Sequence, residues 1–404
     1  MFLVRDAALV LAGRVTRMFV SGAVSVVLVL HLAELGFGGP AIGLLLSLTL
    51  AGDALLSMWL TTRADRYGRR RTLVVGAALV AAAGWAFALS DSFVWLSVAA
   101  FGGVISPAGK EAGPFLAVEQ SALAEVGPAA RRTHTFAWYQ FAGSLASAAG
   151  ALAAGLAASW WQQQGASAAE SYRLVFAAYG AGGLVMLGLA SRLSAAIEPP
   201  IGRDASVRRR LGLHRSTRTI AMLSSLFALD AFAGGLIVQS VIAYWLAVRF
   251  GVDTATVGTL VFGMGVLAAC SAPASAWIAS RLGLIRTMVF THVPSNVLLC
   301  LLPFAPGFGA ASVLLLLRAS VSQMDVPTRQ SYVVAVVDPD ERSAAAGITS
   351  VSRSVGAAGG PALGGVLMAW WVGAPLLAAG IIKLAYDALV YIGFRHLRPP
   401  EERG

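Results

Sequence analysis

Eleven ionisable side chains interrupt the long apolar runs of this chain: Arg14, Arg17, Asp53, Lys110, Glu111, Asp230, Arg318, Asp325, Arg353, Lys383 and Asp387. A charge at the centre of a bilayer costs at least about 2.5 kcal/mol unless it meets a counter-charge or water. Charges kept in such surroundings therefore bind protons, hold charged solutes or pair with one another. Lys383 and Asp387 stand at i and i+4 and are expected to satisfy each other on one helix face. Arg318 and Asp325, seven apart, also share a face. Asp53 has no sequence-adjacent cation, which makes it a candidate for a carboxylate that gains and loses a proton. Glu119 and Arg329 are expected near helix ends, as interfacial polar residues.

The elements that carry these charges must be membrane helices. Apolar residues make up 57% of the chain and charged ones 12%, with a mean hydropathy of +0.73, a balance no soluble domain of this size has. Runs long enough to cross about 30 Å of hydrocarbon predict twelve helices near residues 9–35, 41–62, 72–90, 94–118, 133–160, 171–193, 219–249, 255–280, 286–305, 309–335, 343–371 and 375–395. The first is not a cleavable leader, since it is long, holds Arg14 and Arg17 and has a second span directly behind it. The pI near 10.3 does not point to nucleic acid, because the basic residues are Arg placed between spans and not one basic face. Cys270 and Cys300 lie in apolar stretches and are read as packing residues, with no metal site and no disulfide implied.

Charge orients the stack. Alternate inter-span segments hold Arg63, Arg66, Arg69 to Arg71, Arg131, Arg132, the cluster from Arg203 to Arg218, Arg281, Arg286 and Arg342, whereas the other side has Arg173 and Arg249. The positive-inside rule then places both termini in the cytoplasm, which requires an even number of spans. Residues 194–218, with Glu-Pro-Pro and an Arg cluster, read as a cytoplasmic linker between a bundle at 1–193 and a second at 219–404.

The two halves repeat. Phe19, Gly22 and Pro114 match Phe232, Gly235 and Pro327 at an offset of 213. Gly150, Gly155, Trp160 and Trp161 match Gly360, Gly365, Trp370 and Trp371 at an offset of 210. At the first offset Arg17 also matches Asp230, and the two are expected to form an ion pair that closes in one state and opens in another. Residues 280–286 are a worn copy of the segment after span two.

That segment, residues 60–73, puts Asp65, Arg66, Gly68, Arg69 and Arg70 between two apolar runs. It resembles the G-x-x-x-D-R-x-G-R-R loop between helices two and three of major facilitator superfamily transporters, with Thr61 where the family has Gly. The resemblance implies an all-α integral membrane protein of twelve helices in two pseudo-symmetric six-helix bundles around a central cavity, with the loop as a conformational latch. Gly356, Gly360, Pro361, Gly364 and Gly365 in span eleven look like the G-x-x-x-G-P-x-x-G-G signature that exporters of the superfamily carry in their fifth helix, and are expected to pack helices closely and act as a gate. The superfamily's fourth-helix Arg is missing, and Lys110 with Glu111 stand nearest to it.

No H-E-x-x-H, G-x-S-x-G or Walker loop occurs, so no enzyme and no cofactor are expected. His31, in span one, is read as a packed residue. The expected function is alternating-access secondary transport in a plasma or bacterial inner membrane, by a monomer that exports a small amphiphilic molecule in exchange for protons. The alternatives are a carrier of organic anions or other small metabolites and a non-transporting sensor or assembly protein.

Overall fold

The computed structural model describes residues 2–110, 113–126, 132–198, 215–338 and 341–396. The described residues form helices and turns without a strand, as lipid requires of a chain that must satisfy its own backbone groups. In order the helices are α1 (Phe2–Glu34), α2 (Gly39–Tyr67), α3 (Arg69–Leu89), α4 (Phe93–Gly102), α5 (Phe115–Val126), α6 (Arg132–Gln163), α7 (Ala168–Ser191), α8 (Thr217–Leu236), α9 (Gln239–Phe250), α10 (Thr254–Leu282), α11 (Leu284–Leu301), α12 (Phe308–Val321), α13 (Asp325–Ala335), α14 (Arg342–Trp370) and α15 (Ala374–Phe394). Among the described residues nine segments are long and apolar enough to cross a membrane, with α8 and α9 counted together.

Three expected spans are discontinuous. The run at 94–118 ends as a helix at Gly102 and resumes at Phe115; the run at 219–249 breaks at Ile237 and Val238; that at 309–335 breaks at residues 322–324. Hydropathy could not reveal the second break, since Ile237 and Val238 are as apolar as their flanks; the first, with Pro107, Gly109, Lys110, Gly113 and Pro114, and the third, with Ser322 and Gln323, are locally more polar than theirs. The first break is held by Val104, a β-branched residue at φ 51°, with Gly109 at 62° and Gly113 at 77°. Such backbone is costly for valine. The Tyr179 hydroxyl donates to the Val104 carbonyl at 2.8 Å and Ser147 Oγ to that of Gly109 at 2.6 Å, which satisfies groups that a helix would have paired. The Ser240 amide, just past the second break, donates to the Pro107 carbonyl at 3.1 Å.

The expected loop at 60–73 shrinks to one residue. Helix α2 runs through to Tyr67, and Gly68 at φ 99° turns the chain directly into α3. Its copy behaves alike, with Gly283 at φ 84° between α10 and α11. Only glycine takes these angles without strain.

By contacts the chain divides into two compact units, 1–204 with 238–262, and 205–237 with 263–404. Residues 238–262 thus group with the first unit. The start of the expected linker is not free chain. Ile197 is buried, and Asp6 accepts bonds from the Ser194 amide, at 3.2 Å, and the Ser194 hydroxyl.

Within each unit two long helices meet backbone to backbone. In the first, a Cβ on Gly22 would overlap the Ser147 carbonyl and one on Gly150 the Phe19 carbonyl, joining α1 to α6. In the second, a Cβ on Gly235 would overlap the Ala357 carbonyl and one on Gly360 the Phe232 carbonyl, joining α8 to α14.

Candidate functional site

The second unit buries a charge cluster around Asp230 of α8. Lys383 Nζ of α15 donates to Asp230 Oδ1 at 2.5 Å, Arg353 Nη1 of α14 to Oδ2 at 3.1 Å, and Arg329 Nη1 of α13 lies 3.5 Å from Oδ2. Arg329 Nη1 also binds Asp325, one turn before it, at 2.8 Å. His292 of α11 faces the same carboxylate, its Nε2 3.8 Å from Asp230 Oδ1, while its Nδ1 stands 2.7 Å from Asp387 Oδ1. Asn296 Nδ2 donates to Asp387 Oδ2 at 2.8 Å and lies 3.1 Å from His292 Nδ1. The Tyr386 ring stands edge-on to the imidazole at 5.9 Å. Asp230, Asp325, Asp387, His292 and Arg329 are all buried, and Arg353 keeps 32% of its side chain exposed.

The charge count decides what such a cluster can do. Three carboxylates, Asp230, Asp325 and Asp387, share the group with three fixed cations, Arg329, Arg353 and Lys383, so by formal charge the group is neutral when His292 is neutral. Whether the imidazole of His292 holds one proton or two then decides whether the group carries one added charge.

A pocket of about 440 Å³ opens beside the cluster, wholly within the second unit. Arg329, Gln330, Ser350 and Arg353 give it polar lining, and Phe227 and Val333 apolar lining.

The first unit holds a smaller, tighter group. Arg17 of α1 makes a two-pronged bond to Glu119 of α5, Nη1 to Oε1 at 2.5 Å and Nη2 to Oε2 at 3.0 Å. The Tyr139 hydroxyl of α6 donates to the same carboxylate. Arg14 donates through Nε to the Tyr139 carbonyl at 2.7 Å and through Nη2 to Gln140 Oε1. Aromatic faces cover both guanidiniums, Tyr139 at 3.8 Å from Arg14 and Phe115 at 4.4 Å from Arg17.

Several expectations change. Arg17 and Asp230 were offered as partners; each finds its counter-charges inside its own unit. Lys383 and Asp387 do not satisfy each other: Lys383 turns to Asp230, and Asp387 takes His292 and Asn296. Arg318 and Asp325 lose their shared face because the helix breaks between them, and Asp325 pairs with Arg329 instead. Arg318 is half-buried, and its Nε has no hydrogen-bond partner among the described residues. Glu119 and Arg329, expected at interfaces, are central to the two clusters.

Asp53 is not isolated either. It accepts from the Gly113 amide, in the unwound stretch of span four, and from Ser57 Oγ at 3.3 Å. In that stretch the Lys110 amide donates to Ser106 Oγ at 3.0 Å, and Glu111 lies outside the described residues. His31 is fully buried against Phe176, as a packed residue would be.

Around Gly68 the side chains of Asp65 and Arg66 lie outside the described residues. The neighbouring arginines bind the start of the expected linker. Glu198 accepts from the Arg69 amide at 2.7 Å and the Arg70 amide at 3.2 Å, a carboxylate on the positive end of α3. Arg69 Nη1 reaches the Ile197 carbonyl at 3.0 Å, and Arg70 Nη2 the Ser191 carbonyl. The glycines of α14 serve close packing: a Cβ on Gly356 would overlap the Ala228 carbonyl, one on Gly364 would come within 3.2 Å of the Leu236 carbonyl oxygen, Gly365 is buried, and Pro361 lies inside the helix, where a Cβ on Gly235 would press on its ring.

His292 and Asn296 carried no sequence signal beyond being polar residues in an apolar span. Glu119 could not have been paired with Arg17 from the sequence, because no spacing rule links residues on two helices.

With this geometry in hand, the comparisons are direct. The model of the Major Facilitator Superfamily matches residues 10–322 and 223–404, so the chain belongs to that superfamily. It is 29% identical over 393 residues to the uncharacterized membrane protein YJR124C of Saccharomyces cerevisiae, covering 90% of this chain and 88% of that one. Its fold is that of the nucleoside transporter NupG, with a TM-score of 0.78 at 12% identity over 98% of this chain and 100% of the other. A D-xylose–proton symporter superposes with a TM-score of 0.74 at 14% identity, over 100% and 99% of the two chains. The chain is thus an all-α, multi-pass membrane protein with a transporter fold.

Proposed function

We propose that this chain is a proton-coupled secondary transporter of a small amphiphilic molecule, working by alternating access, with its proton handled by the Asp230 cluster. The observation that carries the reading is the charge balance of that cluster: three buried carboxylates against three buried or half-buried cations, with His292 between two of the carboxylates. A structural bridge needs two groups. A seven-membered group that includes an imidazole, neutral or cationic by one proton, is suited to changing charge as it is exposed to one side and then the other. The Arg distribution supports cytoplasmic termini in a cell membrane. Outward movement in exchange for protons has the glycine motif of α14 on its side. An organic-anion carrier is favoured by a different observation, the arginine-walled pocket beside the cluster.

The test begins with a ligand-stabilisation screen of the purified protein, since a ligand that binds only the native state raises its melting temperature. Hits are then followed in proteoliposomes with an imposed pH gradient. His292→Gln and Asp387→Asn should keep substrate exchange down its own gradient and lose accumulation driven by the pH gradient. If both variants still accumulate substrate as the wild type does, the proton is carried elsewhere, with Asp53 the next candidate.

A further inference from the structure

The pocket beside the cluster has an asymmetric wall. Two guanidiniums, Arg329 and Arg353, line it, and no carboxylate does among the described residues. The acids that balance these arginines are Asp230 and Asp325, and each guanidinium reaches them through Nη1. Five N–H donors sit on a guanidinium, in a fork that fits an oxyanion. Phe227, whose ring lies 5.7 Å from the Arg329 guanidinium, and Val333, one turn after Arg329 on α13, add apolar lining, and the volume of about 440 Å³ suits a small ligand.

We propose that this pocket binds an anionic amphiphile: a carboxylate, phosphate or sulfonate held between Arg329 and Arg353, with an apolar body against Phe227 and Val333. The cluster is neutral while His292 is neutral, so an added anion leaves one excess negative charge in a buried site. A proton on His292 restores the balance. The groups that face His292 allow this: Asp230 from α8, Asp387, Lys383 and Tyr386 from α15, Asn296 from its own helix, Arg329 with Asp325 from α13, and Arg353 from α14 by way of Asp230. Anion and proton are therefore bound together. This joint binding rests on the proton-coupled reading; the anion site does not.

The test uses the full-length protein in phosphatidylcholine nanodiscs and three probes of one shape, naphthalene sulfonate, neutral naphthalene methanol and cationic naphthylmethylamine. The sulfonate should bind at least about tenfold tighter than the other two. Arg353→Gln should remove that preference and Arg353→Lys keep part of it. Ser350→Trp should block the pocket while leaving the ligand-free melting temperature nearly unchanged. Sulfonate affinity should rise about tenfold between pH 8 and pH 6 in the wild type and not in His292→Gln. Phosphatidylglycerol in the discs separates two sources of the anion: if it displaces the sulfonate the natural occupant is a lipid headgroup, and if it does not the occupant is a soluble anion. Equal binding of sulfonate and alcohol, or sulfonate binding by Arg353→Gln at wild-type strength, overturns the site. A pH-independent affinity in the wild type overturns the joint binding of proton and anion. Failure of the proton-coupled reading shows elsewhere, as gradient-driven accumulation that survives both His292→Gln and Asp387→Asn.

Discussion

At matching places in the two units stand a cation, Arg17, and an anion, Asp230, and around this inversion the backbone joints are the same. Gly22 meets Ser147 and Gly150 meets Phe19 in the first unit; Gly235 meets Ala357 and Gly360 meets Phe232 in the second. Each of these residues lies at the repeat offset from its counterpart. The charge groups do not repeat. Arg17 is closed off by one carboxylate, one tyrosine and a phenyl face, whereas Asp230 is shared by three cations and a histidine beside an open pocket. Two copies of one packing frame thus carry a sealed centre and an accessible one. Packing is set by where side chains are small, and charge is laid over it separately.

The comparison breaks first at its centres. Asp230→Asn leaves Arg329, Arg353 and Lys383 facing two carboxylates, and losing one partner of a buried charge group costs about 3–5 kcal/mol. Arg17→Gln should cost less, because Glu119 loses one partner and keeps its bond from the Tyr139 hydroxyl. Thermal unfolding in detergent measures both. Equal losses would mean that Asp230 is no more of a hub than Glu119.

Next come the joints. An added methyl at Gly360 or at Gly150 would overlap a backbone carbonyl that cannot turn aside. Gly360→Ala and Gly150→Ala should therefore each destabilise by about 1–3 kcal/mol, the range for overpacking a tight contact. A neutral result at one and not at the other would show that the two frames are not equivalent.

Much of this frame was legible in the sequence. The glycines at fixed offsets marked the repeat, and those of span eleven marked close packing, because close helix approach tolerates few other residues. Apolar runs gave the helices, whereas the turns at Gly68 and Gly283 were legible only as a loop at 60–73 and its worn copy. The break in span seven was hidden because Ile237 and Val238 read like their helical flanks, whereas the break in span four lay in a stretch marked by Pro107, Gly109, Gly113 and Pro114. Partner choice was hidden too. Spacing finds neighbours on one helix, such as Lys383 and Asp387, but Lys383 reaches across to Asp230, and the pairs that matter here join different helices.

A smaller difference sits at the helix starts. Glu198 accepts two successive amides at the start of α3, and Glu341 accepts the Arg215 amide at 2.8 Å and the Ser216 amide at 3.1 Å ahead of α8. Glutamine at either place should cost about 1–2 kcal/mol, as for a hydrogen bond to a charged group. Glu341 is almost fully buried and Glu198 half-buried, so Glu341→Gln should cost more. Melting temperatures in the order reverse to that would argue that Glu198 matters through its placement on the Arg69 and Arg70 segment.

The smallest expected effect concerns capping by side chains. In the first unit Ser167 caps α7 and Asp253 caps α10, Asp253 accepting from the Thr256 amide at 2.9 Å and from Ser159 Oγ at 3.2 Å. The described starts of α8, α11, α12, α13, α14 and α15 have no such bond. Bonds from Thr256, first through its side chain and then through its amide, hold the Asp253 carboxyl below its ordinary range. A carboxyl lowered on folding stabilises fully above its unfolded value, near about 3.9, and loses that contribution as pH falls through the lower folded value. Asp253→Ala should thus cost about 1 kcal/mol at neutral pH, and less if solvent at this exposed site weakens the bond. The gap between variant and wild type should close as the pH is lowered below about 3.9. A gap that stays constant across that window would assign the loss to packing of the side chain and not to the carboxylate at the helix start.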